Sequence, residues 1–136
     1  MSKPNYSGRW RFCAEASTLQ IAIPDAVVFA IEHREPSFHL ERTLTFGGLS
    51  NTFALDLTVG TEREPLIRGD ATLYPSLRWE GDQLVFRTRI VQGDDESTNV
   101  VRYALEEEGT VLVAEESFRG PKQNYSNRWV FRADVP

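Results

Sequence analysis

The chain has a single cysteine, Cys13, so no internal disulfide braces it and its stability does not depend on an oxidising compartment. A basic excess is missing too: 15 Lys and Arg stand against 20 Asp and Glu, for a formal net charge of −5. Without a concentrated basic face there is no source of counterion release from nucleic acid, and an anionic membrane surface is equally unfavoured. No run of about 18 apolar residues occurs, which excludes a spanning helix. The polar start, Met1 to Tyr6, has no apolar core of a signal peptide. The chain as given is therefore expected to be cytoplasmic, or periplasmic or secreted where a leader has been removed. No Ser-His-Asp order, phosphate-cradling loop or dinucleotide glycine fingerprint appears. His33, His39 and Cys13 lack metal-ligand spacing, so the expectation is no metal and no cofactor.

Helical periodicity is also absent. Only Ser17 to Asp25 has room for one turn of helix, and Pro24 ends it. What fills the chain is alternation of apolar and polar residues, interrupted by turn chemistry. Val27, Phe29 and Ile31 share one face up to Arg34-Glu35-Pro36, and Phe38, Leu40, Leu44 and Phe46 share the next up to Gly47-Gly48, with Arg42 among them. Phe53, Leu55, Leu57 and Val59 follow, then a charged loop from Thr61 to Pro65. Pro75, between Ile67–Tyr74 and Ser76–Glu80, reads as a corner or edge position, because proline cannot donate to a ladder. After the turn Gly81-Asp82 come Leu84, Phe86, Thr88 and Ile90, then an exposed acidic loop, Gln92 to Glu96. Val101, Tyr103 and Leu105, then Val111, Val113 and Glu115, give two further inward sets. Trp129 and Phe131 form the last, opposite Arg128, Val130 and Arg132. About ten sequential strands in one short chain would leave long open edges if the sheet stayed flat. The fold class expected is all-β: one domain, 1–136, an antiparallel meander closed into a small barrel of about 8–10 strands, with a two-layer β-sandwich as the alternative.

Asn5-Tyr6-Ser7-Gly8-Arg9-Trp10-Arg11-Phe12 near the start is echoed by Asn124-Tyr125-Ser126-Asn127-Arg128-Trp129-Val130-Phe131 near the end. If the meander closes, these strands become neighbours, and tryptophan and arginine from each are placed to stack. Gly8-Arg9-Trp10, with Arg128 and Arg132 on the last strand, resembles the lipocalin-like (calycin) barrels, whose Gly-x-Trp tryptophan packs near a basic residue of the final strand. With Arg78-Trp79-Glu80-Gly81-Asp82-Gln83-Leu84-Val85 between them, the likeness spans the whole chain and looks closest to small bacterial lipocalin-like domains. The resemblance implies a barrel holding a small hydrophobic molecule and no particular ligand. Two departures matter. The roughly ten residues from Ser17 are too few for the helical pair of the fatty-acid-binding branch. Its Arg-x-Tyr clamp is missing as well, since Arg102 and Tyr103 are adjacent and face opposite ways.

Polar residues on predicted inward faces mark the candidate site, because buried charge is costly unless paired. The strand period puts Arg42, Thr88, Tyr103 and Glu115 inside, with Arg42 and Glu115 pairing with each other or addressing a ligand. The apolar lining expected around them is Phe29 and Ile31, Leu40 and Leu44, Phe53, Leu55 and Leu57, Phe86, and Val113. The other charges, Arg87, Arg89, Arg102, Glu106, Glu116 and Arg132, fall outward and pair across the ladder. Three functions compete. The first is binding of a small hydrophobic or amphipathic molecule. The second is a cofactor-independent barrel enzyme, an isomerase, cyclase or hydrolase, with Glu115 or His33 as base and Arg42 or Tyr103 steadying an oxyanion. The third is an interaction module with a filled core, forming a homodimer through an unpaired edge at Pro75.

Overall fold

The computed structural model describes residues 3–134. Met1 and Ser2, part of the polar start, and the last two residues lie outside them. Ten strands account for most of the chain: β1 Gly8–Phe12, β2 Ala26–Arg34, β3 Ser37–Phe46, β4 Leu49–Thr58, β5 Leu66–Arg68, β6 Ala71–Glu80, β7 Gln83–Gln92, β8 Asp95–Glu106, β9 Val111–Arg119 and β10 Asn124–Ala133. They form one antiparallel sheet in the order β4-β3-β2-β1-β10-β9-β8-β7-β6-β5. Every chain neighbour from β1 to β4 and from β5 to β10 pairs in sequence, as short turns require. The echoed segments meet through Arg11 opposite Arg132 and Phe12 opposite Phe131.

The turns explain this economy. Gly69-Asp70, Gly81-Asp82 and Gly93-Asp94 each join strands with two residues, the glycine taking φ +63°, +62° and +59°. A positive φ at the first central residue suits the twist of a tight hairpin. The acidic loop expected from Gln92 to Glu96 thus shrinks to Gly93-Asp94, with its flanks in β7 and β8.

The two ends of the sheet meet without a continuous ladder. Past β4 the chain crosses to β6, where Gly60 N–H donates to the Leu77 carbonyl (2.7 Å) and Arg63 N–H to that of Pro75 (3.1 Å). In an antiparallel strand a residue's N–H and C=O point the same way. The Pro75 carbonyl faces this crossing, so its nitrogen does too, and no bond to β7 is lost. Pro75 is therefore an edge position inside a continuous β6 and not a corner. Its edge is taken by Glu62 and Arg63 and is not open for a second chain.

One end of the barrel is plugged by the chain before β1. Tyr6 is fully buried, and its hydroxyl lies 2.8 Å from the Tyr103 carbonyl and 3.0 Å from that of Asp82. Trp10 Nε1 donates to the Tyr6 carbonyl (3.1 Å), so the Gly-x-Trp tryptophan fastens the plug. The stack of tryptophan on last-strand arginine expected from the echo does not form: Arg128 points outward to Glu115 and Glu106. Packed on the plug are Ile31, Phe38, Leu57, Leu77, Leu84 and Leu112, all at least 96% buried.

A polar clip holds the plug. Tyr6 N–H donates to His33 Nδ1 (3.1 Å), which places the imidazole proton on Nε2. That nitrogen faces Glu35 Oε1 at 2.9 Å, and Trp79 Nε1 donates to Glu35 Oε2 at 3.0 Å. Burial raises the Glu35 pKa, but the bonds from His33 and Trp79 and the nearness of His33 outweigh it and bring the pKa below its ordinary 4.5. A carboxylate depressed on folding contributes stability above its unfolded pKa and loses it as pH falls through the folded value. Glu35→Gln should accordingly lower the thermal midpoint at pH 7, and the gap to wild type should narrow as the pH is lowered from 7 to 3. Thermal unfolding followed by circular dichroism at both pH values checks this; an unchanged gap at the lower pH would remove the carboxylate charge as its source.

Candidate functional site

Above the plugged half, the inward residues stop filling the barrel and leave a cavity of about 260 Å³. One wall is Val27 and Phe29 of β2 with Leu40 and Leu44 of β3. Facing it are Phe86 of β7, Val101 and Tyr103 of β8, Ala114 of β9, and Trp129 and Phe131 of β10. At the mouth stand Ile21 and Ala22 with Phe46 and Tyr125. The Ser17–Asp25 segment that brings Ile21 and Ala22 there holds no helix; a 3-10 turn lies just before it, Ala14–Ala16. Its course is fixed by Thr18 pairing with Arg128, and by Gln20 N–H donating to Asn127 Oδ1 (2.7 Å).

Phe29, Leu40, Leu44, Phe53, Phe86, Arg42 and Tyr103, all expected inside, line this space. Ile31, Leu55 and Leu57 are buried but belong to the solid core beyond it. Thr88 lies between Pro75 and Asn99 in the sheet, outside the lining. Arg42 is exposed at the side of the cavity, its guanidinium 5.7 Å from the centre of the Phe53 ring. Arg68 of β5 covers the same ring at 4.5 Å, so two cations flank one phenylalanine where the ends of the sheet part.

Strand β9 corrects the sequence reading. Val111-Leu112-Val113-Ala114 is apolar on both faces, so alternation gives it no phase. The ladders do: Ala114 lies opposite Tyr103 on one side and Trp129 on the other, both inward. Leu112, Ala114 and Glu116 therefore point in, and Val113 and Glu115 point out. Val113 packs with Val111 and Val130 in a small outer cluster. Glu115 meets Arg128 Nε at 3.4 Å with more than half its side chain exposed, so it neither pairs with Arg42 nor touches the cavity. His33, the other candidate base, is spent on the clip at the plugged end, with both ring nitrogens bonded.

The interior carboxylate is Glu116, which the alternation had placed outside. Its Oε1 accepts from Asn127 Nδ2 (2.8 Å) and Trp129 Nε1 (2.9 Å), and its Oε2 from Asn99 Nδ2 (3.1 Å). The Oδ1 of Asn99 is buried without any partner among the described residues. Burial raises the Tyr103 pKa most, Arg42 lowers it and Glu116 raises it again, and the net is well above the ordinary phenol. Burial and then Glu116 also raise that of Tyr125. Both hydroxyls thus stay protonated at neutral pH and act as donors.

An all-β meander whose first and last strands pair, with one end plugged and an apolar interior cavity at the other, has the fold of the lipocalin-like (calycin) barrels. Solved structures share it along the whole chain. The secretory abundant heat soluble protein 4 from Ramazzottius varieornatus superposes with a TM-score of 0.68 at 17% identity, covering 99% of each chain. Human cRBP IV gives 0.64 at 15% identity, covering 96% of this chain and 98% of its own. A protein described as the REP1-NXSQ fatty acid transporter gives 0.61 at 12%, covering 96% and 97%. No protein-family model and no curated protein matches the sequence. At such identities the likeness is one of fold.

The phase of β9 has a direct consequence for stability. Glu116→Ala strands the donors of Asn127 and Trp129 in a shielded site and should cost about 1 to 3 kcal/mol, whereas Glu115→Ala removes an exposed pair worth less than about 1 kcal/mol. Urea unfolding of the two variants measures the difference, and equal losses would contradict this register.

Proposed function

We propose that this barrel binds a small molecule, mostly apolar with a polar end, inside the cavity beside Tyr103. The observation that carries the reading is the cavity itself. Its walls are aromatic and aliphatic, with a few convergent polar groups: Arg42 at the side, and Tyr103, Asn99 and Glu116 within. That composition is usual for small-molecule sites, and about 260 Å³ falls just below their usual range, which favours a compact ligand. The neighbouring folds agree in kind, since one is named a fatty acid transporter.

The competing readings have less support. A barrel enzyme based on Glu115 or His33 would need one of them at the cavity, and neither lines it. An interaction module needs a filled interior, and the Pro75 edge through which it would dimerise is occupied.

Ala114 is 98% buried and faces the cavity from the middle of β9, so enlarging it removes ligand space without touching the plugged core. Wild type should raise the fluorescence of N-phenyl-1-naphthylamine saturably, and Ala114→Phe should weaken that binding by about tenfold or more while the far-ultraviolet circular dichroism spectrum is kept. Equal binding by both proteins would place the probe elsewhere and remove the support for an interior site.

A further inference from the structure

Exposed apolar surface is concentrated at one end of this barrel. Of the five large apolar side chains exposed among the described residues, Ile21, Ile23, Phe46 and Leu49 stand at the open end, and the fifth, Ile67, is on the outer side of β5, next to an Arg68 that turns in to the Phe53 ring. Ile21 and Phe46 also line the cavity, so the exposed patch is continuous with its mouth. Leu49 lies opposite Phe46 across the Gly47-Gly48 turn and shares its face. Ile23 follows Ala22 in the segment at the mouth, and Asp25 ties that segment to the same hairpin: its N–H donates to the Thr45 carbonyl (2.8 Å), and its carboxylate accepts from the Gly47 N–H (2.6 Å). Two segments thus make one rim. Charge is missing from both, since Ala16 to Pro24 and Thr43 to Leu55 are the two longest stretches without Asp, Glu, Lys or Arg in a chain that is 26% charged. The other turns of the open end, with the residues flanking them, carry Asp70, Asp94 and Asp95 against Arg68, Arg119 and Lys122, a balance with no basic cluster.

We propose that this rim docks the barrel, mouth first, on the surface of a zwitterionic lipid bilayer. This rests on the reading of the cavity as a ligand site. Leu49 and Ile23, 80% and 60% exposed, are the side chains that enter the boundary between headgroups and acyl chains, and burial of their apolar area is the driving term. Anionic lipid adds nothing, because attraction to it needs clustered Lys or Arg and the charges around this rim cancel. A mouth set against the acyl chains lets an apolar molecule pass between bilayer and cavity without crossing water. A second copy suits the rim less: two barrels joined mouth to mouth would shut both cavities to ligand, and each brings a net charge of −5.

Flotation with vesicles of dioleoylphosphatidylcholine, and of its equal mixture with dioleoylphosphatidylglycerol, tests the docking. Wild type should float with the phosphatidylcholine vesicles at millimolar lipid, and no better with the mixture. The double variant Ile23→Ser/Leu49→Ser changes only exposed side chains and should partition about tenfold or more weakly, while Ile67→Ser floats as wild type does. In the absence of vesicles all three proteins should bind N-phenyl-1-naphthylamine equally. No flotation of wild type, flotation on the mixed vesicles alone, or equal flotation of wild type and the double variant would each overturn the proposal, and probe binding retained in that case would leave the cavity as a ligand site. A concentration-dependent dimer in sedimentation velocity, lost in the double variant and unaccompanied by flotation, would overturn it in favour of a second copy. Flotation of a wild type that binds no probe in solution would overturn the ligand site and, with it, this role of the rim.

Discussion

Two hairpins with four-residue connections hold β9 between β8 and β10, and the chemistry of the interior depends on the register they impose. Thr98 to Glu106 pairs with Arg119 to Val111 on one side, and Asn124 to Arg132 pairs with Arg119 to Val111 on the other. A slip of one residue would turn Glu116 out and Glu115 in, and would break three hydrogen bonds to donors on two neighbouring strands. The bonds in turn oppose the slip. Asn99 sits on β8, and Asn127 and Trp129 on β10, so one carboxylate ties three consecutive strands across the face that hydrophobic burial alone does not phase. Register here is a polar decision made inside an apolar barrel.

The division of the barrel into a solid half and a hollow half follows from where the polar plug lies. Tyr6 fills the axis at one end, its hydroxyl set between the carbonyls of Tyr103 in β8 and Asp82 in the turn before β7, and it receives Trp10 from β1, while His33 and Glu35 lock it from β2 and its turn. Large side chains pack on it to close density. Toward the other end the sheet's two edges separate past the crossing at Gly60 and Arg63, the interior widens, and small Ala114 stands where the neighbouring strands carry Tyr103 and Trp129. A gap of that kind forfeits dispersion contacts on every wall, so a well-packed core would not keep it without another use.

Much of this was legible from residue pattern. The strand count, the meander order, the pairing of first and last strands and the inward sets of β2, β3, β4, β7 and β8 all follow from period two and turn residues. Phase failed where the period vanished: β9 opens with four apolar residues, and nothing local separates Glu115 from Glu116. Hairpin arithmetic held the missing signal. Arg119 and Asn124 close a four-residue connection, so residues whose numbers sum to 243 face each other, and the inward Trp129 selects Ala114 and then Glu116. The mouth segment was opaque for a different reason, since Ile21 and Ala22 are placed by backbone bonds to β10 that no periodicity encodes.

The inward polar residues divide according to what each does for folding. His33 and Tyr6 find protein partners, so their polarity is accounted for by the plug. Glu116 is mostly accounted for by register. What remains is Asn99 Oδ1, which is shut off from solvent and has no partner among the described residues, on a residue that lines the cavity. Folding gains nothing from an orphan acceptor there, and replacing Asn99 by an apolar residue of similar size would relieve it at the loss of one bond to a carboxylate that keeps two others. Sites that break a local rule without a structural return are where function is to be sought. Among the described residues two buried side-chain atoms meet that criterion, Asn99 Oδ1 and Arg128 Nη1, and of the two residues only Asn99 lines the cavity.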